Sequence, residues 1–507
     1  MFEFGFSYIG LVFLLMLFIP NWFWAKDKPK DYEKFSSGEN KILLAFERIG
    51  EVTTTVLALI FKTNNIRIRS VWMIWLAIAF FLMVIYEIYW VRYFKSSKTM
   101  KDMYASCFGI RVAGATCPVL AFLLLGIYGS NIFLIVSSII LGIGHIGIHI
   151  AHEKEAYGKK IKSGAGKKIL RIIAAILLIP VIAVIAIRNY TWITDPATVI
   201  ESSYIEINGQ DQYILTRGTD NSNPVILYLH GGPGSPDSCM SYVFNDYLID
   251  DYTVVCWDQR GCGRTYMVNN DKSNFTVSFP RAISDLKEMV SYLKETYSQD
   301  KIIIMGHSYG SVLGAVYTYE YPEDVEAFIG IGQFVNWKAS SMAEYDEAFK
   351  RATEAGDDTS AMTAAYNEMV EEDSFEASME MSRYTGEYLA AEKNGNTIVA
   401  AILSPYMNSD DFMWTAHILS YESFMAYEGP LMNYINSIDL REDIPSFDVP
   451  VLFISGGCDF NCTYTVAAEY ADMCGADMYV IDGADHYCHA ADPKEFAFAV
   501  KDFLMEE

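Results

Sequence analysis

The chain has 507 residues, 52% of them hydrophobic, and a formal charge of -25, so it is long enough for more than one folded unit. The charge is uneven: residues 1–190 hold 22 Lys and Arg against 11 Asp and Glu, a net of +11, which leaves 16 against 52, a net of -36, for residues 191–507. The acidic part argues against a nucleic-acid partner, because a phosphate backbone needs a basic footprint, and its plain reading is a well-solvated surface.

A membrane-spanning helix needs about 20 mostly apolar residues. Residues 6–24, 71–90, 105–128 and 132–151 meet that requirement, and 169–187 meets it with Arg171 at its start and Pro180 in its middle. A sixth stretch, 42–61, carries Glu47, Arg48 and Glu51 before an uncharged run, so it either spans or lies along the interface. Basic residues cluster in three loops, among them Lys34, Lys98, Lys159, Lys160 and Lys162. The positive-inside rule wants all three in the cytoplasm, which favours six spans over five. The chain then leaves the last span on the extracytoplasmic side, although Lys62, Arg67 and Arg69 fall on the wrong side. The first apolar run lacks a basic leader and a small-residue cleavage site, so it reads as an anchor. His145, His149 and His152 share one helix face; with Glu87 they are weighed as a metal site and read instead as packing histidines. Arg111 is expected to snorkel or to pair with Glu87.

Residues 191–507 change character. Residues 203–207 and 212–216, joined by Asn208-Gly209, predict a hairpin. Short apolar runs follow at 225–229, 253–257, 301–305, 327–331, 451–455 and 478–481, with helix-length stretches near 281–297, 309–321, 463–474 and 492–505. That alternation predicts a mostly parallel sheet with helices on both faces, and chemistry beyond the carboxyl ends of its strands. From 336 to about 445 the alternation stops, which predicts a helical cap inserted over the site.

Gly306-His307-Ser308-Tyr309-Gly310 follows one strand and opens a helix, the G-x-S-x-G elbow that lifts a serine hydroxyl clear of a sheet. A serine needs a base, and His486 lies just past the last strand, with His489 as the fallback. The base needs a carboxylate, and Asp459 lies past the preceding strand. The order Ser308, Asp459, His486 is that of the α/β-hydrolase fold. Tyr309 and Gly232, the latter in His230-Gly231-Gly232-Pro233-Gly234, are expected to supply the oxyanion N–H groups. This chemistry asks for no cofactor and no metal. Of the seven cysteines here, Cys488 is placed to bond with Cys458 or Cys462; the alternative is that all are free thiols.

With its H-G-G-P-G loop at 230–234 and its D-Q-R-G-x-G-x-T segment at 258–265, the chain from about 200 to 505 resembles the proline iminopeptidase family of α/β-hydrolases. Thr265 stands where that family usually has serine, and His307 where it more often has glycine. The resemblance implies an aminopeptidase that releases N-terminal residues from a small peptide through an acyl-enzyme on Ser308. It also implies cap acids that receive the substrate amine; Glu376, Glu380 and Glu422 are the candidates, with Glu344 and Glu428 also in view. The alternatives are an esterase or lipase fed from the bilayer, and a membrane receptor whose hydrolase-like domain only binds its ligand. The expected organisation is a five- or six-span domain at 1–190 and a hydrolase domain at 191–507.

Overall fold

The structure, a computed structural model, describes residues 3–33, 39–67, 72–158, 165–269 and 272–506. The chain divides into two compact units, Met1–Thr194 and Asp195–Glu507.

The first unit is helical: α1 (Tyr8–Lys26), α2 (Lys41–Leu59), α3 (Met73–Phe94), α4 (Ala113–Tyr128), α5 (Ile132–Tyr157) and α6 (Ala165–Ile193). Polar caps set the starts. Ser7 accepts the Gly10 N–H, Asn40 those of Ile42 and Leu43, and Asn131 that of Leu134, each satisfying N–H groups that have no partner inside the helix. Among the described residues, α1, α3 and α5 are the helices long and apolar enough to cross a membrane. The expected span at 105–128 is helical through its length only from Ala113, because Phe108, Gly109 and Val112 take positive φ and turn the chain. Arg111 pairs with Glu153 of α5, not with Glu87, so that expectation is corrected. The expected span start at Val71 and the basic residues Lys34, Arg69, Lys159, Lys160 and Lys162 lie outside the described residues.

The second unit is built on an eight-stranded sheet: β1 (Val199–Ile207), β2 (Gln210–Gly218), β3 (Val225–Leu229), β4 (Thr253–Asp258), β5 (Ile302–His307), β6 (Val325–Ile331), β7 (Val451–Gly456) and β8 (Asp477–Ile481). The strand order is β1-β2-β4-β3-β5-β6-β7-β8; β1 and β2 pair antiparallel, as do β2 and β4, and every other pair is parallel. The β1–β2 turn falls at Asn208-Gly209, both at positive φ, as a two-residue hairpin requires. Successive side chains on the inner strands point to opposite faces and both faces are covered, so the runs are apolar throughout. Leu227, Leu229, Val255, Ile304 and Phe328 enter one core; Ile226, Tyr228, Val254, Ile303 and Ile329 enter the other.

Helices α7 (Phe279–Tyr297) and α8 (Tyr309–Glu320) flank β5 in sequence. Between β6 and β7 the chain forms α9 (Trp337–Ala355), α10 (Ser360–Glu372), α11 (Phe375–Thr385), α12 (Thr397–Leu403), α13 (Ser409–Ile418) and α14 (Tyr421–Ile435). The bidentate pair Arg264–Asp411, at 2.8 and 2.6 Å, ties α13 to the segment after β4. Helices α15 (Tyr464–Cys474) and α16 (Pro493–Glu506) complete the unit.

Candidate active site

Ser308 joins β5 to α8 at φ 53°, ψ -117°, outside the ordinary helical and strand regions. The turn closes because its flanks are glycine. A Cβ on Gly306 would lie 2.2 Å from the Gly310 carbonyl oxygen, and one on Gly310 would lie 2.2 Å from the Leu229 carbonyl oxygen. Past β7, the fully buried Asp459 accepts the backbone N–H groups of Asn461 at 3.0 Å and Cys462 at 2.9 Å on Oδ1. Its Oδ2 lies 2.8 Å from Nδ1 of His486, in the loop after β8. Gly332, at the end of β6, leaves the room: a Cβ there would stand 3.1 Å from both Asp459 Oδ2 and His486 Nδ1.

Ser308 and His486 border one cavity of about 320 Å³, together with Gly232 and Tyr309. The buried Cys462 thiol lines the same cavity, and its pKa is driven well up by burial and by Asp459. Tyr309, first residue of α8, has a backbone N–H with no acceptor inside the helix. The walls are mixed: Phe334, Trp337, Phe375, Met432, Ile435 and Phe460 stand beside Ser341, Ser378, Ser382 and Asn461.

Three imidazoles cluster here: His307 and His486 line the cavity, and His489 lies behind them. The His307 ring lies 4.7 Å from that of His486 and 4.8 Å from that of His489. Burial holds His307 well below the usual range and lowers His489 to about 3, so both are neutral. Burial also acts against charge on His486, but Asp459 outweighs it and the net shift is upward. His307 Nε2 donates to the His486 carbonyl at 3.0 Å and so braces the loop that carries it. His489, the fallback base, is buried against Phe244 and Phe496 and does not reach the cavity.

The cap acids correct the expectation. Glu376, Glu380 and Glu422 are exposed and do not line the cavity. On α11 the inward stripe is Ala377, Ser378, Met381 and Thr385, which turns 376 and 380 to solvent, and Glu380 pairs with Arg383 at 2.6 Å. The one carboxylate lining the cavity among the described residues is Glu344 of α9, 7% exposed. Its oxygens accept the hydroxyls of Ser382, at 3.0 Å, and Thr385. Burial raises its pKa and those two hydrogen bonds partly offset the rise. Glu428 of α14 is buried against Gly234 with no partner on Oε1 among the described residues, and burial alone lifts its pKa to about 8.

Two features went unread in the sequence. Cys462 stands beside the serine, and Gly332 clears the acid–base pair; a glycine closing a predicted strand was the available signal for the second. All nine cysteines are free thiols, so the bond from Cys488 to Cys458 or Cys462 is not formed. The 258–265 segment is scaffold rather than cavity wall. Arg260 bridges Asp285 through two nitrogens, and Thr265 accepts the Tyr213 N–H at 2.9 Å while donating to the Asp258 carbonyl.

Comparison with known proteins agrees with this architecture. The sequence profile described as alpha/beta hydrolase fold matches residues 224–493, more than half of the chain. The chain belongs to the alpha/beta hydrolase fold family. Among curated relatives, the protein named "Probable aminopeptidase YbaC" of Bacillus subtilis (strain 168) is 23% identical over 307 residues, 58% of this chain and 92% of the relative. The proline iminopeptidase of Heyndrickxia coagulans is 25% identical over 312 residues, 59% of this chain and 97% of the relative. That of Thermoplasma volcanium is 31% identical over 130 residues, 25% of this chain and 41% of the relative. The solved proline iminopeptidase of Mycobacterium smegmatis is 18% identical and covers 60% of this chain and 98% of its own, with a TM-score of 0.44.

Proposed function

We propose that this hydrolase is a membrane-anchored serine aminopeptidase that releases N-terminal residues from small peptides. The observation that carries the reading is the company around one cavity: an elbow serine, an imidazole held by a buried aspartate, and a single carboxylate from the cap. In this reading the Ser308 hydroxyl turns to His486. Its proton passes to the imidazole as the oxygen attacks the scissile carbonyl. The N–H groups of Gly232 and Tyr309 receive the oxyanion. His486 then gives its proton to the departing amine, and water, activated by the same imidazole, releases the acyl group. Asp459 fixes the tautomer and favours the imidazolium. Glu344 receives the free ammonium of the substrate; a peptide with a blocked amine leaves that buried carboxyl without its partner, which selects for chain ends.

The relatives named as aminopeptidases and proline iminopeptidases support the peptidase reading. The anchoring reading rests on α1, α3 and α5 and on their outward apolar rows, such as Phe18, Trp22, Ile74 and Phe81, all at least half exposed. The placement of the hydrolase unit outside the cytoplasm rests on the basic loops; full protection of that unit from protease added to intact cells reverses it. The apolar side chains in the cavity wall, among them Phe334, Trp337 and Phe375, favour a second reading, an esterase acting on acyl chains. The deciding experiment offers aminoacyl chromogenic amides and acyl esters to the purified full-length protein and to Ser308→Ala. Turnover of amides that vanishes in the variant is expected. Turnover of esters alone selects the second reading, and undiminished turnover in the variant removes Ser308 from the mechanism.

A further inference from the structure

The helical unit contains a polar cluster for which the hydrolase chemistry has no use. Helices α2 and α5 touch backbone to backbone. A Cβ on Gly144 would lie 2.2 Å from the Glu47 amide nitrogen, and one on Gly50 would lie 2.4 Å from the Leu141 Cα. Helices this close force together the side chains that border the contact. Those are Glu47 and Glu51 on α2, one turn apart, and His145 and His149 on α5, likewise one turn apart. Glu47 Oε1 lies 2.6 Å from His145 Nδ1, and one ligand atom from each of Glu47, Glu51 and His145 lies within 4.8 Å of the others. The His149 ring stands 4.4 Å from that of His145. All four side chains line a cavity of about 260 Å³.

Glu87, weighed from the sequence as the carboxylate for these histidines, does not line this cavity, and His152 faces Glu39 at 3.5 Å and Tyr104 at 3.1 Å. Arg48, which also lines the cavity, reaches Glu51 Oε2 at 3.0 Å with 71% of its own side chain exposed. It is thus a surface pair, worth about 1 kcal/mol or less, and it leaves the other Glu51 oxygen available. Glu47, with 13% of its side chain exposed, faces an imidazole across the helix contact, and a carboxylate buried to that degree is costly without a cation beside it.

We propose that Glu47, Glu51 and His145 bind a divalent transition-metal ion of the zinc class, with His149 as the next donor. Mixed nitrogen and oxygen donors suit zinc and its first-row neighbours better than calcium or magnesium. Three protein ligands leave an open coordination position towards the cavity, the arrangement of a reactive site rather than a closed structural one. Tetrahedral bonds of about 2.0–2.2 Å set donors about 3.3–3.6 Å apart, so the 2.6 Å Glu47–His145 contact must open by about 0.7–1.0 Å.

The test uses the purified full-length protein in detergent, titrated with zinc against a chromophoric chelator, beside Glu47→Gln, His145→Gln, and His417→Gln as a control in the cap. The expected result is one more tightly bound zinc in the wild type and the control than in the other two variants. Their affinity at that site should fall about 100-fold or more, since even partners one shell out are worth about 10–100-fold. Equal zinc binding in all four proteins overturns the proposal. Should the variants fail to fold, X-ray absorption of the wild type loaded with one equivalent of zinc decides it. A nitrogen and oxygen shell with an imidazole signature supports the site; a sulfur-containing or fully aquated shell refutes it.

Discussion

The ends of the strands and the helices of the cap both bury carboxylates near the same cavity, and they satisfy them in different ways. Asp459, in the loop after β7, receives two backbone N–H groups and an imidazole. Glu428, in the middle of α14, is as deeply buried and has nothing on Oε1. The cause is backbone chemistry. A loop leaves N–H groups free to point at a side chain, whereas a helix interior has spent its N–H groups on its own carbonyls. A helix-borne acid must find its donors on side chains or on segments outside its own helix, as Glu288 does at the Asn208 N–H. Glu344 finds two hydroxyls, from Ser382 and Thr385, and Glu428 finds none at Oε1.

The sharpest contrast is therefore expected between substitutions at strand ends and in the cap. Ser308→Ala should lower kcat by roughly 10⁴–10⁶, the scale of losing a nucleophile, and steady-state turnover of whichever substrate the protein accepts measures it. Asp459→Asn should cost about 10⁴ while the fold persists, because the imidazole loses its tautomer partner. The same variant carries a pH signature. His486 acts as base only when neutral, so activity falls as pH falls through its pKa. Asp459 raises that pKa above the ordinary 6.5 despite burial, so the acid limb of kcat/KM should lie above pH 6.5 and move down in Asp459→Asn. A limb that stays in place would separate His486 from the proton transfer.

Glu428 tests the other side of the contrast, through stability. Its folded pKa of about 8 exceeds the ordinary 4.5. Between those values the folded chain keeps a proton that the unfolded chain has lost, so stability declines as pH rises from 4.5 to 8 and levels off above. At pH 7 the accumulated loss is about 3 kcal/mol. Glu428→Gln should match the parent near pH 5 and exceed its thermal midpoint near pH 8. A pH-independent difference between the two curves would show that Glu428 is solvated or paired in solution.

The same division governs what was legible in the sequence. Ser308, Asp459 and His486 could be located because each follows an apolar run whose period and turn residues mark a strand end, and strand ends of such a sheet converge. The cap acids could not be chosen from composition, since the choice depends on how each helix is rotated about its axis. Part of that rotation was readable: Ala377, Ser378, Met381 and Thr385 form a small-residue and apolar stripe that turns Glu376 and Glu380 outward. The partner of His145 lay deeper. Glu47 is 98 residues away, and the two helices are paired by the close approach at Gly144 and Gly50 and by Ser137 bonding Thr53 and Thr54. Charge and hydropathy mark which segments are helical and apolar but not which helices touch, so Glu87 looked as good a partner as Glu47.

The smallest effects should come from the cap acids, and their ranking tests whether the amine is read where proposed. Glu344→Gln keeps the shape of the side chain and can still bond the hydroxyls of Ser382 and Thr385, but it cannot carry charge. If Glu344 faces the substrate ammonium, the variant should lose about 10–100-fold in kcat/KM for aminoacyl amides, a charged hydrogen bond being worth about 1.5–3 kcal/mol. Acyl esters without an amine should be turned over within about twofold of the parent, because the amide keeps the packing and both hydroxyl bonds. Glu376→Gln, Glu380→Gln and Glu422→Gln, all on the solvent side, should leave both substrates unchanged. Equal losses on amides and esters in Glu344→Gln would mean that the residue shapes the cavity rather than reading the amine. A loss confined to one of the three exposed acids would mean that the cap closes over substrate in a different rotation, bringing that face of α11 or α14 inward.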